Sequence, residues 1–349
     1  MPEYTPPAVY AADPQRYTGA MTYRRAGHSG LDLPVLSLGF WHNFGDTKDV
    51  DVQRAIVRRA FDIGITHFDL ANNYGPPQGS AESNLGRLLA TDLKPYRDEL
   101  VIASKAGYPM WPGPYGDGGS RKYLLSSLDQ SLRRLGLEYV DVFYHHRFDK
   151  TVPLEETMGA LISAVQSGKA LYAGVSNYTA AQAEQAKTLL AAAGVPLLVQ
   201  QEKYNMFERR IETPGADGEG AESVLDGARR LGVGVTVFSP LAQGLLTNRY
   251  LDGIPADSRA AVNFFLTSNR IDDAYLKTAR ALDGIAKAHG HTLAQLALAW
   301  VLRDQRVTTA IVGASSVQQL DDNVATLAKL QLSDDEIKAI DAACAGYRI

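Results

Sequence analysis

The sequence predicts an α/β protein, with eight strands and their helices closed into a (β/α)8 TIM barrel. Short apolar runs alternate with longer amphipathic stretches along most of the 349 residues. This alternation is typical of repeated βα units around a parallel sheet that is buried on both faces. Eight such units close most economically into a barrel. The alternative is a doubly wound sheet, but the Gly-x-Gly-x-x-Gly signature expected after its first strand does not occur in the sequence.

Composition and charge exclude several classes of function. Hydrophobic residues make up 45% and charged residues 21% of the chain, as in soluble proteins with a large core. The net charge of −4 and the lack of a basic tract make nucleic acid and anionic membrane poor partners. The single cysteine, Cys344, excludes an intramolecular disulfide and a multi-cysteine zinc site. Neither a signal-peptide pattern nor a membrane-spanning apolar run is visible, so we expect a cytoplasmic protein.

The order of predicted elements places one domain after a short extension. We expect residues 1–20 to form an irregular, partly mobile extension and residues 21–349 to form a single barrel domain. Within that domain, residues 21–34 predict an N-terminal β-hairpin that plugs one end of the sheet. The barrel strands are predicted at 35–39, 63–68, 99–105, 139–144, 170–177, 196–201, 234–239 and 308–313. Helices are predicted at 52–63, 80–90, 120–135, 154–167, 179–193, 221–231, 272–289, 292–303, 316–328 and 333–343, the last ones being extra C-terminal helices. A long irregular segment is predicted at 241–269.

Most of these strands end at a residue that can bind a ligand. In a (β/α)8 barrel the carboxyl ends of the strands converge on one mouth, where the chemistry takes place. The residues at these ends are Trp41, Asp69, Lys105, His145 or His146, Ser176 with Asn177, Gln201, Ser239, and Gly313 with Ser315. Each alone has an ordinary structural explanation, such as a helix cap, a solvated lysine or a structural histidine. One ligand-filled mouth explains them all together, and we therefore predict a functional site there.

The chemistry of these side chains indicates proton transfer. Tyr74 follows Asp69 in a loop bounded by glycine and proline. A tyrosine has a pKa of ~10 in water, and a lysine held by a carboxylate should lower it. A histidine across the site would donate a hydrogen bond to the same oxygen, so the set suits protonation of a carbonyl oxygen as hydride reaches carbon. No metal site is expected, because the histidines lack H-x-x-x-H spacing, and no Gly-x-Ser-x-Gly elbow occurs.

The stretch from Asp69 to Gly75, with Lys105 and His146, resembles the catalytic tetrad of the aldo-keto reductases. The resemblance spans nearly the whole chain from Tyr23 onward and includes the strings at 174–177, 239–244 and 313–315. It is strongest toward the subgroup of bacterial L-glyceraldehyde 3-phosphate reductases and animal potassium-channel β subunits. For the bacterial reductases the match extends to the strings at 40–45, 108–116 and 119–123.

The resemblance implies a role for each member of the tetrad. Tyr74 is the general acid, and Lys105 with Asp69 is the pair that lowers its pKa. His146 is the donor that orients the substrate carbonyl. His146 matches rather than His145, because the family pattern places the histidine directly before Arg147.

The resemblance also implies a nicotinamide cofactor, with NADPH (NADP+ when oxidised) favoured over NADH. The carboxamide would be held by Ser176, Asn177 and Gln201, the nicotinamide ring would stack on Phe238, and Trp41 would border the site. The remaining contacts implied are Asp69 beside the nicotinamide, Ser239, Pro240, Leu241, Ala242 and Gln243 along the pyrophosphate and ribose, Arg249 and Arg259 on the phosphates, and Gly313, Ser315, Gln319, Asp322 and Asn323 at the adenosine end.

Two departures from the family pattern affect the adenosine end. The family often has Glu where Asp322 stands, which implies a shorter or water-mediated contact. Ser316 carries no charge where some relatives have arginine. The preference for NADPH therefore depends on Arg249 and Arg259, since a guanidinium suits phosphate.

The function implied is reduction of small aldehydes, such as L-glyceraldehyde 3-phosphate or methylglyoxal, by a homo-oligomer (tetramer or octamer). One alternative is a nicotinamide-binding regulatory subunit with little turnover. Another is a sugar isomerase or aldolase with a Schiff base on Lys105. The segment 241–269 would fold over the dinucleotide as a clasp. Arg121 and Lys122 are weaker candidates for contacting a phosphorylated substrate.

Overall fold

Eight parallel strands close into a barrel, as predicted, in which each strand pairs with the next along the chain and the last pairs with the first. The structure is a computed structural model that describes residues 9–216, 222–256, 258–262 and 266–347. The barrel strands are β3 Leu36–Gly39, β4 His67–Asp69, β5 Val101–Ala106, β6 Val140–His145, β7 Ala170–Ser176, β8 Leu197–Lys203, β9 Gly234–Phe238 and β10 Val307–Val312. These bounds differ by only a few residues from those predicted, because each strand is a buried apolar run that both neighbours pair with.

A hairpin closes the barrel at the end where the strands begin, which confirms the predicted plug. Strands β1 (Tyr23–Arg25) and β2 (Asp32–Pro34) pair antiparallel. Ala26 and Leu33 are buried at 0% and 1% exposure and pack against small apolar side chains inside the barrel. Gly27 has φ +56°, and a Cβ there would lie 2.1 Å from the Gly232 carbonyl oxygen, so glycine alone allows this close approach.

Helices follow the strands and cover the outside of the barrel. They are α1 Val50–Asp62, α2 Ser80–Ala90, α3 Arg121–Leu135, α4 Leu154–Gln166, α5 Ala180–Ala192, α6 Val224–Leu231, α7 Arg259–Val262, α8 Asp273–His289, α9 Leu293–Leu302, α10 Val317–Val324 and α11 Asp334–Cys344. Ser120 caps α3, as predicted, by accepting a hydrogen bond from the Tyr123 amide. Among the described residues, no helix has both the length and the apolar character needed to cross a bilayer.

Two helix predictions need correction. The helix predicted from 221 begins at Val224, because the Ser223 side chain caps it by accepting from the Asp226 amide; residue 221 lies outside the described residues. The helix predicted at 316–328 is the shorter α10 followed by a 3-10 turn, Ala325–Lys329.

The segment between β9 and α8 is irregular, as predicted, and is interrupted by short helical turns. The turns are Ala242–Gly244, Asn248–Tyr250 and Ser268–Arg270, together with α7. Leu246 and Tyr250 are buried at 0% and 1% exposure, so the segment packs on the barrel instead of projecting from it. Residues 257 and 263–265 of this segment lie outside the described residues.

The described part of the N-terminal extension lies against the outside of the barrel. The Tyr10 hydroxyl donates to the Asp62 carboxylate over 2.7 Å. Arg16 forms an ion pair of 2.6 Å with Glu99, and its guanidinium lies 5.1 Å from the centre of the Phe61 ring. These contacts hold residues 10–16 on α1 and on the turn that precedes β5.

Candidate active site

A buried ion pair forms the floor of the barrel mouth. Asp69 ends β4 and Lys105 lies near the end of the neighbouring β5, with side-chain exposures of 3% and 0%. The Lys105 ammonium donates to Asp69 Oδ2 over 2.6 Å and to the Leu70 carbonyl over 2.7 Å. Gln201 Nε2 donates to Asp69 Oδ1 over 2.9 Å. Burial lowers the pKa of Lys105, while the Asp69 carboxylate acts in the opposite direction and favours the charged ammonium.

Tyr74 lies directly above this pair. The amide of Gly75 donates to the Trp41 carbonyl over 3.1 Å, which fixes the Tyr74 loop to the loop after β3. The Lys105 ammonium is 4.9 Å from the centre of the Tyr74 ring. The ammonium thus lies over the aromatic face, while its hydrogen bonds go to Asp69 and Leu70.

The Tyr74 hydroxyl is a weaker acid than the sequence predicted. Burial raises its pKa well above the usual 10.0, and the Asp69 carboxylate and Tyr108 add to the rise. The expected net lowering of the Tyr74 pKa was wrong for this structure, because burial has the largest effect and acts in the opposite direction. At neutral pH the hydroxyl is therefore protonated, which is the form a proton donor requires.

His146 follows β6 and completes the group of four side chains. Its amide donates to the Ala106 carbonyl over 2.9 Å, and its ring centre is 5.8 Å from that of Tyr74. Burial lowers its pKa well below the usual 6.5, and the Lys105 charge adds to the effect. The imidazole is therefore neutral and retains one N–H donor. Its buried Nδ1 has no hydrogen-bond partner among the described residues.

His145 belongs to a different environment. Its Nδ1 lies 2.6 Å from the Tyr178 hydroxyl, and its side chain is on the opposite face of β6 from His146. The structure therefore brings His146, and not His145, beside Tyr74.

The three residues expected at the nicotinamide carboxamide lie together beside the tetrad. Ser176 ends β7 and pairs in register with Gln201 on β8. Asn177 has φ +57°, and its Nδ2 donates to Ser176 Oγ over 3.0 Å and to the His146 carbonyl over 3.1 Å. Gln201 Nε2 already bonds Asp69, so this side chain links the tetrad to the carboxamide residues.

The backbone that follows β9 is unusually strained. Ser239, Ala242 and Gln243 have φ values of +55°, +47° and +60°. Such residues cost roughly 1–3 kcal/mol each and cluster where a ligand is held. The buried Oε1 of Gln243 has no partner among the described residues. Phe238 ends β9 at the start of this stretch, and Pro240 and Leu241 lie within it.

One arginine of the irregular segment, Arg259, lies close to the mouth. The guanidinium of Arg259 is 5.8 Å from the centre of the Trp41 ring. Burial lowers the pKa of Arg259, and the nearby positive charge of Arg249 lowers it further. No carboxylate among the described residues forms an ion pair with Arg259. A largely buried positive charge of this kind favours an anionic ligand.

The residues expected at the adenosine end lie in the turn before α10 and along that helix. Gly313 directly follows β10, and both the amide and the hydroxyl of Ser315 donate to Gln319 Oε1, over 2.8 and 2.9 Å. Asp322 Oδ1 accepts from Gln318 over 2.8 Å. Asn323 is buried at 2% exposure, and its Nδ2 has no partner in the described part of the chain.

The two candidates for a phosphorylated substrate lie at the outer rim. Arg121 Nη1 donates to the Gly159 carbonyl of α4 over 2.7 Å. The Lys122 ammonium lies 5.5 Å from the centre of the exposed Tyr115 ring. These contacts indicate that both residues are solvated charges at the start of α3 and not part of the substrate site.

Sequence reasoning missed two residues that shape the site. The Tyr108 ring stands perpendicular to His146 with 4.7 Å between ring centres, and an aromatic residue soon after the end of β5 was the available signal. Asn205 Nδ2 donates to the Ser239 carbonyl over 3.0 Å and steadies the strained turn; no pattern in the sequence marks it. The described residues contain no group of three or more metal-binding side chains.

Comparison with known proteins identifies the family. The model of the Aldo/keto reductase family matches residues 35–345. The chain is 54% identical over 337 residues to an L-glyceraldehyde 3-phosphate reductase from Escherichia coli O157:H7, and 53% identical to the one from strain K12, each covering 95% of both chains. It is 36% identical over 325 residues to a probable voltage-gated potassium channel subunit beta from Oryza sativa subsp. japonica, covering 91% of this chain and 94% of that one. The family match and the similar reductases show that the chain belongs to the aldo/keto reductase family and is an oxidoreductase, and the barrel fold is consistent with this.

Proposed function

We propose that this protein reduces small aldehydes to alcohols with NADPH, and that Tyr74 delivers the proton. The observation that carries the proposal is the convergence of Tyr74, His146 and the buried Lys105–Asp69 pair at one end of the barrel. A phosphorylated triose such as L-glyceraldehyde 3-phosphate is the first substrate to test, because two relatives at 54% and 53% identity carry that name. Methylglyoxal is the second.

The residues of the mouth fit a dinucleotide. Buried polar atoms without described partners occur at His146 Nδ1, Gln243 Oε1 and Asn323 Nδ2. They fall in the three regions expected to face the reacting end, the pyrophosphate and the adenosine. When bound, the cofactor supplies the hydride. Ser176, Asn177 and Gln201 would hold its carboxamide, and Phe238 would contact the nicotinamide ring.

The protein's own part in the reaction is to hold and deliver one proton. A neutral His146 donates a hydrogen bond to the carbonyl oxygen and orients it, while the protonated Tyr74 hydroxyl transfers its proton to that oxygen. The phenolate that results lies beside the Lys105 ammonium, whose charge stabilises it. Lys105 thus acts on the product of proton transfer, and Asp69 keeps the ammonium charged and in place. General-acid catalysis of this kind contributes ~10²–10⁴ in rate.

Arg249 and Arg259 support the choice of NADPH. The phosphates of the cofactor would offset the buried charge of Arg259, and guanidinium groups bind phosphate through paired N–H donors. The segment 241–269 carries both arginines and the strained turn, so its described part is well placed to clasp the dinucleotide. We further propose that the protein is cytoplasmic and forms a homo-oligomer.

A regulatory subunit that binds the cofactor with little turnover is the second candidate. It is favoured by the similarity to a potassium channel subunit beta at 36% identity. A Schiff-base reaction at Lys105 is disfavoured, because its ammonium is fully buried and donates to Asp69 and Leu70.

Steady-state kinetics on a panel of aldehydes, with NADPH and NADH side by side, separate these candidates. We expect turnover with NADPH and a loss of kcat by ~10²–10⁴ in Tyr74→Phe, with cofactor binding retained. Tyr139→Phe is the matched control, since Tyr139 precedes β6 at the far end of the barrel. Tight NADPH binding without turnover on any aldehyde would favour the regulatory subunit. Full activity in Tyr74→Phe would refute the mechanism.

A further inference from the structure

We infer that Glu202, together with Gln200, positions Asn177 for the cofactor and so couples the carboxamide site to His146. The assignment rests on the proposed function, because it concerns the site where that cofactor binds. Neither residue is part of the tetrad or of the expected set of cofactor contacts. Each is a positioning residue, since it acts through the Asn177 turn.

Three consecutive residues of β8 hold the two residues that follow β7. The Asn177 amide donates to the Gln201 carbonyl over 3.0 Å. The Tyr178 amide donates to Glu202 Oε1 over 3.0 Å, and Gln200 Nε2 donates to the Tyr178 carbonyl over 2.7 Å. Gln200 Nε2 also donates to Glu202 Oε1 over 3.0 Å, which ties the two side chains together. Both backbone polar groups of Tyr178 are thus bonded by side chains of one strand.

These bonds hold Asn177 in a conformation that the chain would not otherwise favour. Its φ of +57° lies in the left-handed region, which is strained for residues other than glycine and only moderately tolerated by asparagine. In that conformation its side chain reaches Ser176 Oγ on one side and the His146 carbonyl on the other. Relaxation of the turn would move the Asn177 amide away from both groups.

Burial of the Glu202 carboxylate costs free energy, which its hydrogen bonds to the Asn177–Tyr178 turn offset. Gln201 points into the barrel toward Asp69, so Glu202 and Gln200 point outward, where both are buried at 1% exposure. Burying a carboxylate is expensive without compensating partners. The facing cation is Arg210, whose Nη2 is 3.8 Å from Glu202 Oε2, beyond hydrogen-bond distance. The direct bonds of the carboxylate go to Tyr178 and Gln200, so its principal contacts are those that fix the turn.

The test compares two substitutions of the same residue. Glu202→Gln retains an oxygen that can take the place of Oε1, whereas Glu202→Ala leaves the Tyr178 amide without its partner. Loss of such a hydrogen bond corresponds to about tenfold in an equilibrium constant. We therefore expect the Kd for NADPH, measured by fluorescence titration, to rise about tenfold in Glu202→Ala and less than about twofold in Glu202→Gln. Hydrogen exchange at the Tyr178 amide should accelerate in the alanine variant alone.

A second variant and a control separate positioning from general destabilisation. Gln200→Ala removes the hydrogen bond to the Tyr178 carbonyl and should also raise the Kd for NADPH. This variant therefore tests the inference if Glu202→Ala fails to fold. Glu212→Ala removes a carboxylate that bonds Tyr204 and Arg303; it should lower stability without changing the Kd.

The outcomes distinguish this inference from the proposed function. Unchanged Kd and unchanged Tyr178 exchange in folded Glu202→Ala, or an unchanged Kd in Gln200→Ala, would overturn the inference while leaving the reductase intact. A wild-type protein that binds no NADPH would instead overturn the proposed function, and this assignment with it.

Discussion

Removing both members of the Lys105–Asp69 pair should destabilise the protein by less than the sum of the two single removals. Lys105→Met deletes an ammonium that lies 2.6 Å from Asp69 Oδ2. The carboxylate then keeps only the Gln201 bond of 2.9 Å in a site where its side chain is 3% exposed. Breaking a buried pair in this way costs about 3–5 kcal/mol. Asp69→Asn should cost a similar amount, because its amide then faces a buried ammonium that has only the Leu70 carbonyl as partner.

The double variant tests whether these costs share one origin. In Lys105→Met with Asp69→Asn no charge remains buried, so its cost should fall below the sum of the single costs by about 2–3 kcal/mol. Urea unfolding followed by far-ultraviolet circular dichroism measures all four free energies of unfolding. All three variants should also lose activity, because Lys105→Met removes the ammonium that stabilises the Tyr74 phenolate and Asp69→Asn removes the carboxylate that keeps this ammonium charged and in place.

Simple additivity of the two costs would refute this reasoning. It would mean that each charge is stabilised independently of the other, despite the 2.6 Å contact. The m-values must agree among the four proteins, since a changed m-value would report a different unfolded or folded state instead of a lost pair.

Three further predictions follow from the site. Because the pKa of Tyr74 is raised by burial, kcat should not fall between about pH 7 and about pH 9, and a fall there would show that Lys105 lowers the pKa after all. Burial raises the pKa of Glu202 from 4.5 to about 7, so the unfolded chain ionises first and wild-type stability falls by about 3 kcal/mol across that range. Urea unfolding at low and at neutral pH should therefore show the stability of Glu202→Gln, relative to the wild type, rising by that amount as the pH increases. A stability difference that does not change with pH would contradict the raised pKa. Arg259→Ala should raise the KM for NADPH about tenfold, with the exposed Arg270→Ala as control, and equal effects would argue against a phosphate contact.

The barrel and the composition of its mouth could be predicted from the sequence because both depend on periodic patterns. Each apolar run is long enough for one buried strand. In a parallel barrel the polar residue at the carboxyl end of each strand must lie at the same mouth. Asp69, Lys105 and His146 therefore converge as expected. The start of α6 was also within reach, since Ser223 precedes the helix and a serine in that position is a good cap.

The sequence could not show which groups in the mouth form hydrogen bonds with each other. A lysine, a carboxylate and a tyrosine imply a lowered tyrosine pKa only if the ammonium charge is available to the tyrosine. Here Asp69 and the Leu70 carbonyl take its hydrogen bonds, and burial then determines the direction for Tyr74. Glu202 presents the same difficulty, because a strand pattern shows that it is outward-facing but not that a turn from another strand covers it.

The hairpin at the far end of the barrel determines how molecules exchange with the mouth. Ala26 and Leu33 cover the barrel where its strands begin, and the barrel interior is itself a packed core, so molecules reach the reacting atoms only from the mouth. If the cofactor and the substrate share one opening, the molecule that binds deeper must enter first and leave last. A dinucleotide clasped by the segment after β9 would therefore outlast the small alcohol above it in each cycle. Release of the dinucleotide would then be the last event of each cycle.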